Sequence, residues 1–180
     1  MGALKAVYEP VNDERAVFKC VTQAYLAAVE RQSALKRQIK AHYRQWGVVP
    51  TGSVVYSPTG RGQWLDQLPH PGIRSQLTAL YEMLDHALAG EHKSRRLMID
   101  NGKAFPEIKR LQTMPGVGTI GAHVYVAFVQ DPSRFETPQQ LIRYSRLGIR
   151  DRSSDNKPLG YQQLDRHGHS VLKALSYRAW

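Results

Sequence analysis

Apolar residues recur at the spacing of one helix face along the first 46 residues of the chain. Most steps between them are of three and four residues, with an interruption at Gln32; the residues are Phe18, Val21, Tyr25, Ala28, Leu35, Ile39 and Trp46. Such a heptad seam is typical of a long helix that packs against another long helix. Asn12 suits the N-cap, Asp13 and Glu14 suit the first turn, and Gly47 suits the C-cap. The pattern therefore predicts a helix of roughly 34 residues, far longer than the globular average.

A second helical segment follows a loop. Residues 48–71 are rich in glycine and proline and are predicted to be an ordered loop, with a short helix near residues 63–68. Helical spacing then returns from Ile73 toward Met98, with apolar residues at Leu77, Leu80, Tyr81, Leu84 and Leu88. Because the loop turns the chain around, we expect a long antiparallel, coiled-coil-like helical hairpin. Two core helices of a compact bundle are the alternative.

Beyond residue 101 the pattern indicates a smaller helical region. Pro106 suits the first turn of one helix, and an apolar segment follows at residues 120–129. The turn between them, Pro-Gly-Val-Gly, contains Gly116 and Gly118 and resembles a helix-hairpin-helix. In that arrangement glycines expose backbone amides at a helix N-terminus, where a phosphate oxygen can bind. A plain tight turn between two core helices is the alternative.

The last third of the chain is predicted to contain two further helices and a polar loop. Thr137-Pro-Gln-Gln140 has the form of a capping box with proline at the first helical position, so a helix is expected from there to about Leu147. A polar, arginine-rich loop follows at residues 148–160, and a final helix at residues 167–179. The chain is thus predicted to be mainly α, with an arm and its loop in residues 1–101 and a helical domain in residues 102–180.

Charge indicates a polyanionic partner. The chain carries 25 Lys and Arg against 15 Asp and Glu, a formal net charge of +10. Five bases lie in the predicted first helix between residues 31 and 44, where no carboxylate intervenes: Arg31, Lys36, Arg37, Lys40 and Arg44. Neutralising phosphates releases counterions and gives sequence-independent affinity, so this stretch favours DNA or RNA. A merely soluble basic protein is the alternative.

Several other classes of protein and site are disfavoured. Cys20 is the only cysteine, which excludes an intramolecular disulfide and a thiolate metal cluster. No apolar run approaches the roughly 18 to 20 residues that cross a bilayer, and the first residues do not form a secretory signal, so we expect a cytoplasmic protein without a membrane partner. His167 and His169 lack a third ligand, so no metal site is predicted. For Trp64, core packing is favoured over stacking on a base.

The polar loop carries the candidate chemistry. Ser153 and Ser154 are hydroxyl nucleophiles that need a base or a metal to activate them, and Arg150 and Arg152 are suited to hold a phosphate. No neighbouring side chain is an obvious base, because a carboxylate such as Asp151 would repel an incoming phosphodiester. A solvent-exposed polar turn is the alternative.

Several segments, taken in order, resemble a known family. They are Val7-Tyr-Glu-Pro10, Lys40-Ala-His-Tyr-Arg44 with Trp46-Gly47, Pro115-Gly-Val-Gly118, Asp131-Pro-Ser-Arg-Phe135, Leu141 to Tyr144, Arg152-Ser-Ser154, and Leu164-Asp-Arg-His-Gly168 leading to Leu172-Lys173. Each is weak alone, but their order and spacing over nearly the whole chain resemble the C-terminal part of insertion-sequence transposases of the "IS one-ten" family. The Piv and MooV invertases and the bridge-RNA-guided recombinases are relatives of that family.

The resemblance implies an N-terminal nuclease domain of the RuvC type, absent from this chain, whose acidic residues bind Mg²⁺. It also implies a coiled-coil arm and a helical transposase domain, in which a serine attacks a DNA phosphate. By position that serine is Ser154, with Ser153 as the fallback, because Asp155 and Asn156 replace the family's usual glycine pair. No cofactor is expected within this chain. The residues expected to bind nucleic acid are Arg150, Arg152, Lys157, Arg166, Lys173, Gly116, Gly118, Lys36, Arg37, Lys40 and Arg44.

Three functions are compatible with these observations. The first is a recombination module that binds DNA and a structured guide RNA, supplies the serine, and is inactive without the acidic domain. The second is a non-catalytic nucleic-acid-binding remnant or regulator. The third is an arm that serves only to form homo-oligomers, in which case the charge is incidental.

Overall fold

The computed structural model describes residues 13–154, 157–164 and 167–178. Several sequence expectations lie outside the described residues: the N-cap at Asn12, the motif at residues 7–10, Asp155 with Asn156, and Arg166. The described chain is mainly helical, which confirms the predicted fold class. Its helices and strands are α1 (Asp13–Gln45), α2 (Arg61–Leu65), α3 (Pro71–Gly102), α4 (Glu107–Gln112), α5 (Thr119–Val129), α6 (Pro138–Tyr144), β1 (Ile149–Ser154), β2 (Lys157–Leu164) and α7 (Ser170–Arg178).

The chain divides into two compact units. The arm unit comprises Gln23–Met98, and the C-terminal unit comprises the described residues before Gln23 and after Met98. The sequence-based domain boundary near residue 102 stays a prediction. Among the described residues, no helix is both long and apolar enough to cross a membrane.

The core of the arm unit follows the predicted seams with one exception. Tyr25, Ala28 and Ile39 of α1 are buried, and Ile39 packs in a cluster with the α3 residues Leu77, Leu80, Tyr81 and Leu84. The prediction for Trp46 is wrong, because its side chain is 46% exposed whereas Tyr43 is fully buried. Helix α1 ends at Gln45 and the chain turns at Gly47 with a φ of +74°. Trp46 therefore lies past the helix, where helical spacing no longer determines which face a side chain takes.

The loop between the long helices is tied down by Arg61. Its guanidinium donates to both carboxylate oxygens of Asp85, at 2.7 and 2.6 Å, and to the Tyr56 carbonyl oxygen at 3.0 Å. It also lies over the Tyr81 ring, 4.5 Å from the centroid. The Tyr81 hydroxyl is 3.1 Å from that of Tyr43, and burial raises the pKa of both phenols. Hydrogen bonds from Arg61 hold the pKa of the Asp85 carboxyl below its ordinary value.

Trp64 belongs to the same packing. Its ring meets that of Tyr43 edge-on with centroids 6.4 Å apart, and it packs against the arm core. Of the two alternatives for Trp64, the structure supports core packing over stacking on a base.

The C-terminal unit is built around α5. Most of its residues are buried, as expected from a continuous apolar segment: Ala122, His123, Val124, Val126, Ala127, Phe128 and Val129. Helices α4 and α7 both pack against it. The start of α1 joins this unit, since the Phe18 ring lies 4.8 Å from the Phe105 ring. His123 approaches Gly102 so closely that a Cβ at this glycine would collide with the imidazole.

The segment predicted as a polar loop is a two-stranded antiparallel hairpin instead. Strands β1 and β2 pair from Ile149 opposite Leu164 to Ser154 opposite Lys157, with a register shift between Asp151 and Ser153. Hydropathy gives a weak signal for these strands because their sequences are mostly polar and their few apolar residues were not recognised as the alternation of a half-buried strand. Backbone pairing defines the hairpin.

The start of α6 differs slightly from the predicted capping box. Thr137 is the N-cap and Pro138 takes the first helical position, as expected, but the Thr137 side chain makes no capping hydrogen bond. The Gln140 side chain accepts a hydrogen bond from the Glu136 amide at 2.9 Å. The reciprocal interaction is therefore displaced by one residue.

We expect Ile39→Ala to lower the free energy of unfolding by roughly 2 to 5 kcal/mol, because a fully buried side chain leaves a cavity. Trp46→Ala should cost less than about 1 kcal/mol, because nearly half of that side chain is exposed. Urea denaturation followed by circular dichroism measures both values. Equal losses of unfolding free energy in the two variants would contradict the assignment of Ile39 to the buried face of α1.

We expect Asp85→Asn to destabilise the protein by about 1 kcal/mol at neutral pH, a value that allows for screening because half of the Asp85 side chain is exposed. The folded-state pKa of Asp85 is lowered, so the ion-pair contribution is present above the unfolded pKa of about 4 and is lost as pH falls through the folded value. The melting temperatures of wild type and variant should therefore converge in acid. Glu82→Gln, an exposed carboxylate on the same helix, is the matched control. A constant gap between wild type and Asp85→Asn down to pH 2 would contradict this account.

Candidate nucleic-acid interface

Three of the predicted basic residues lie one helical turn apart on α1. Lys36, Lys40 and Arg44 follow each other at intervals of four residues, which places them along one side of the helix. Tyr56, from the loop, lies against two of them: the Lys36 and Lys40 Nζ atoms are 5.7 and 5.5 Å from its ring centroid. Burial raises the pKa of the Tyr56 phenol, and the charge of Arg44 opposes that rise. The four residues form what we call the basic cluster.

Hydrogen bonds fix the geometry of the basic cluster. Lys40 donates to the Gly52 carbonyl oxygen at 2.9 Å, and Lys36 donates to the Gln32 side-chain oxygen at 3.2 Å. The Tyr56 hydroxyl donates to the Lys36 carbonyl oxygen at 3.1 Å. Within the described part of the chain, no carboxylate lies within ion-pair distance of Lys36, Lys40 or Arg44. The cluster is therefore a region of uncompensated positive charge.

Arg37 is in a different environment from these residues. Its guanidinium forms an exposed ion pair with Glu30 at 2.7 Å. Glu30 immediately precedes the carboxylate-free stretch of residues 31–44, so the charge pattern of that stretch did not indicate this ion pair. Binding of nucleic acid by Arg37 stays a prediction, but its charge is already partly compensated.

In the glycine turn before α5, one of the two glycines has a backbone conformation that favours glycine. Gly116 has a φ of +78°, in the left-handed region that favours glycine. Gly118 is the N-cap of α5 with an ordinary extended backbone, and a Cβ there would meet nothing within 4 Å. The turn leads directly into a helix N-terminus, whose first amides have no intrahelical partner. Phosphate binding there stays a prediction.

The candidate nucleophiles lie in the β1–β2 hairpin. Ser154 pairs with Lys157 as the last pair before the connection, and Ser153 pairs with Pro158. Arg150 pairs with Gln163, and the register shift falls at Arg152. The backbone therefore brings Arg150, Arg152, Ser153, Ser154 and Lys157 into one short hairpin.

Residues on both sides of the hairpin are joined by an aromatic anchor, formed by Phe128, Phe135, Tyr144 and His169. The His169 ring lies 4.1 Å from that of Phe128, and the Phe135 ring lies 5.4 Å from that of Tyr144. The Tyr144 hydroxyl donates to the Phe128 carbonyl oxygen at 3.0 Å. Arg134 lies over Phe135 and Tyr144, 4.6 and 4.5 Å from their centroids. These segments are recognisable in the sequence as separate motifs, but the sequence does not indicate that they pack together.

The end of α6 and the start of α7 meet at Gly168. The His169 amide donates to the Tyr144 carbonyl oxygen at 2.7 Å. Gly168 has a φ of +108°, and a Cβ there would lie 2.6 Å from the carbonyl oxygens of Arg143 and Tyr144. Only glycine fits this contact, which fixes the two ends of the hairpin segment side by side.

His169 of the predicted histidine pair has a structural explanation. Burial, assisted by the charge of Lys19, lowers the pKa of His169, which favours a neutral ring packed within the aromatic anchor. Among the residues that the structure describes, no group of three or more His, Cys, Asp and Glu could hold a metal ion. The Mg²⁺ implied by the family resemblance therefore has no fitting donor set in this part of the chain.

The remaining predicted contact is on α7. Lys173 is half-buried and its Nζ lies 5.7 Å from the Tyr177 ring centroid. Its phosphate contact stays a prediction. Tyr56 is the residue of the basic cluster that the sequence did not indicate, because a lone tyrosine in a glycine-rich loop carries no positional signal.

Comparison with known proteins gives two findings. Residues 108–180 match the model of the transposase IS116/IS110/IS902 family. Over 178 residues the chain is 26% identical to y4qE of Sinorhizobium fredii, which is named as a candidate transposase. The match covers 97% of this chain and 42% of that relative, so the chain spans less than half of the relative's length. The matched region contains α5, α6, the hairpin and α7, and the resemblance drawn from the sequence motifs is confirmed: residues 108–180 of this chain are similar to the transposases of the IS116/IS110/IS902 family.

Proposed function

We propose that this chain is the nucleic-acid-handling part of a DNA transposition or site-specific recombination protein, and that Ser154 is its nucleophile. The observation that carries the proposal is the family match over residues 108–180, which includes the entire β1–β2 hairpin. Ser153 is the alternative nucleophile, since it is the neighbouring residue on the same strand.

The proposed reaction is a transesterification. The Oγ of Ser154 forms a bond to phosphorus, the bond from phosphorus to the leaving sugar oxygen breaks, and the hydroxyl proton is transferred to that oxygen. One phosphodiester replaces another, so the step needs no oxidant and no nucleoside triphosphate as an energy source. Arginine guanidinium groups hold phosphate oxygens in bidentate geometry, which suits Arg150 and Arg152 to bind the attacked phosphate. The described residues do not fit a metal site, so no step is assigned to a metal of this chain.

The proposed partners are DNA, a structured guide RNA and a second copy of the chain. A net charge of +10 and the basic cluster on α1 support nucleic-acid binding. The two long helices of the arm unit support self-association, because exposed faces of long helices commonly pair. Acidic residues that bind a divalent metal are proposed to come from a separate segment or chain.

A non-catalytic nucleic-acid-binding remnant or regulator is the second candidate. One specific observation favours it. Asp155 and Asn156 follow Ser154 where the family resemblance leads one to expect two glycines, and a carboxylate next to the nucleophile repels a phosphodiester.

We expect Ser154→Ala, placed in a full-length protein that carries the acidic domain, to reduce strand transfer by roughly 10³-fold or more while leaving DNA affinity unchanged. A plasmid recombination assay and a gel-shift assay measure the two effects. Ser153→Ala is the comparison variant and should retain activity. If only Ser153→Ala abolished activity, the nucleophile would be reassigned to Ser153. Activity in both single variants would exclude a serine nucleophile at this hairpin.

We expect the 180-residue chain by itself to bind DNA but not to cleave it in the presence of Mg²⁺. The physical reason is that its described residues hold no metal-binding cluster. Conversion of supercoiled plasmid to nicked or linear forms is the measurement, with a Mg²⁺-dependent nuclease as the positive control. Cleavage by the purified chain would show that a separate acidic domain is not required.

A further inference from the structure

We propose that Lys36, Lys40 and Arg44, organised by Tyr56, form a site for the phosphate backbone of nucleic acid, and that this site does not contact the bases. The inference rests on the proposed function and deepens it, because it names the part of the ligand that α1 recognises. It also separates these residues from Arg37, which the sequence placed in the same group.

The positions of the two lysines indicate an anionic ligand. Their ammonium nitrogens lie 5.7 and 5.5 Å from the centroid of one tyrosine ring. Two like charges gathered around one ring repel each other, and in the described part of the chain no carboxylate pairs with either lysine. The ring quadrupole and the Gly52 carbonyl oxygen offset part of the repulsion. An anion that contacts both ammonium groups offsets more of this repulsion.

The spacing along α1 suits a polymer of phosphates. Residues four apart on a helix are displaced by about 6 Å along its axis, which is comparable with the length of one nucleotide of a strand. Lys36, Lys40 and Arg44 form two such steps on one side of α1. A single small anion would contact two neighbouring residues of this row, whereas a sugar-phosphate backbone can contact all three.

The position of Tyr56 argues against contact with bases. Aromatic residues that bind bases expose a ring face for stacking. Tyr56 is half-buried and packs against the arm core, while the two lysine side chains lie over its ring. Its hydroxyl is engaged with the Lys36 carbonyl oxygen. The ring therefore positions the cations, and contacts made by cations to phosphates carry no sequence information.

Arg61 connects this site to the rest of the arm unit. It donates to the Tyr56 carbonyl oxygen at 3.0 Å while it is held by Asp85. Tyr56 is thus fixed at its backbone by Arg61 and at its hydroxyl by α1. The cluster is assembled before a ligand binds, so binding needs little rearrangement of the loop.

The test measures the salt dependence of binding by the 180-residue chain. Dissociation constants are determined by fluorescence anisotropy between about 50 and 200 mM salt, with two DNA duplexes of unrelated sequence and one RNA hairpin as probes. We expect Lys36→Gln and Lys40→Gln each to reduce the slope of log K against log salt by about 1. That loss corresponds to roughly fivefold weaker binding near physiological salt, equal for both duplexes. The measurements with the RNA hairpin show whether the same site also binds RNA.

Arg37→Gln is the matched control, because it removes the same formal charge from the same helix but from a residue paired with Glu30. We expect it to change the slope by less than half as much. Lys40→Arg keeps the charge and should keep the wild-type slope, which separates loss of charge from damage to the helix. Circular dichroism checks folding of every variant.

The possible failures can be told apart. If the wild-type chain bound none of the three probes, the proposed function would fail and this inference with it. If it bound DNA or RNA but both lysine variants kept the wild-type slope, only the present inference would be overturned. An Arg37→Gln effect equal to that of Lys40→Gln would also overturn it, as would a different loss on the two duplexes.

Discussion

The Arg61 guanidinium organises the arm unit. It is largely buried and is held by two segments: by both oxygens of Asp85 and the face of the Tyr81 ring on α3, and by the Tyr56 carbonyl oxygen in the loop. Tyr81 in turn meets Tyr43 of α1 through the paired hydroxyls. A buried cation without partners is costly, so these contacts must form together. This shared requirement converts a glycine- and proline-rich loop into a fixed part of the unit.

The basic cluster depends on this arrangement. Tyr56 lies against Lys36 and Lys40, and the loop that carries it is held by Arg61 at the Tyr56 carbonyl oxygen. Basic residues that lie together in the sequence of α1 thereby have different surroundings in the structure. Arg37 is compensated by Glu30, whereas Lys36, Lys40 and Arg44 gather around one ring. Basic residues of the same helix therefore differ in how far their charge is compensated.

In the C-terminal unit the aromatic anchor plays a comparable part. It gathers the segments Asp131–Phe135 and Leu141–Tyr144 and the turn at Gly168, which are separate in sequence. The hairpin with Ser153 and Ser154 begins and ends at this anchor, between Tyr144 and His169. Several of the motifs that carry the family resemblance are thus explained by packing.

Sequence alone determined the long helices, because helical periodicity is a local property that survives over many turns. The two long helices, the mainly α class and the resemblance to a family were all available from spacing and motifs. Tertiary structure decided what local pattern cannot encode: that Tyr43 and not Trp46 is buried, that a polar segment pairs into a hairpin, and that Tyr56 joins the basic residues. Each of these depends on partners distant in sequence, whose contacts are set by packing and backbone pairing and leave no periodic trace in the chain.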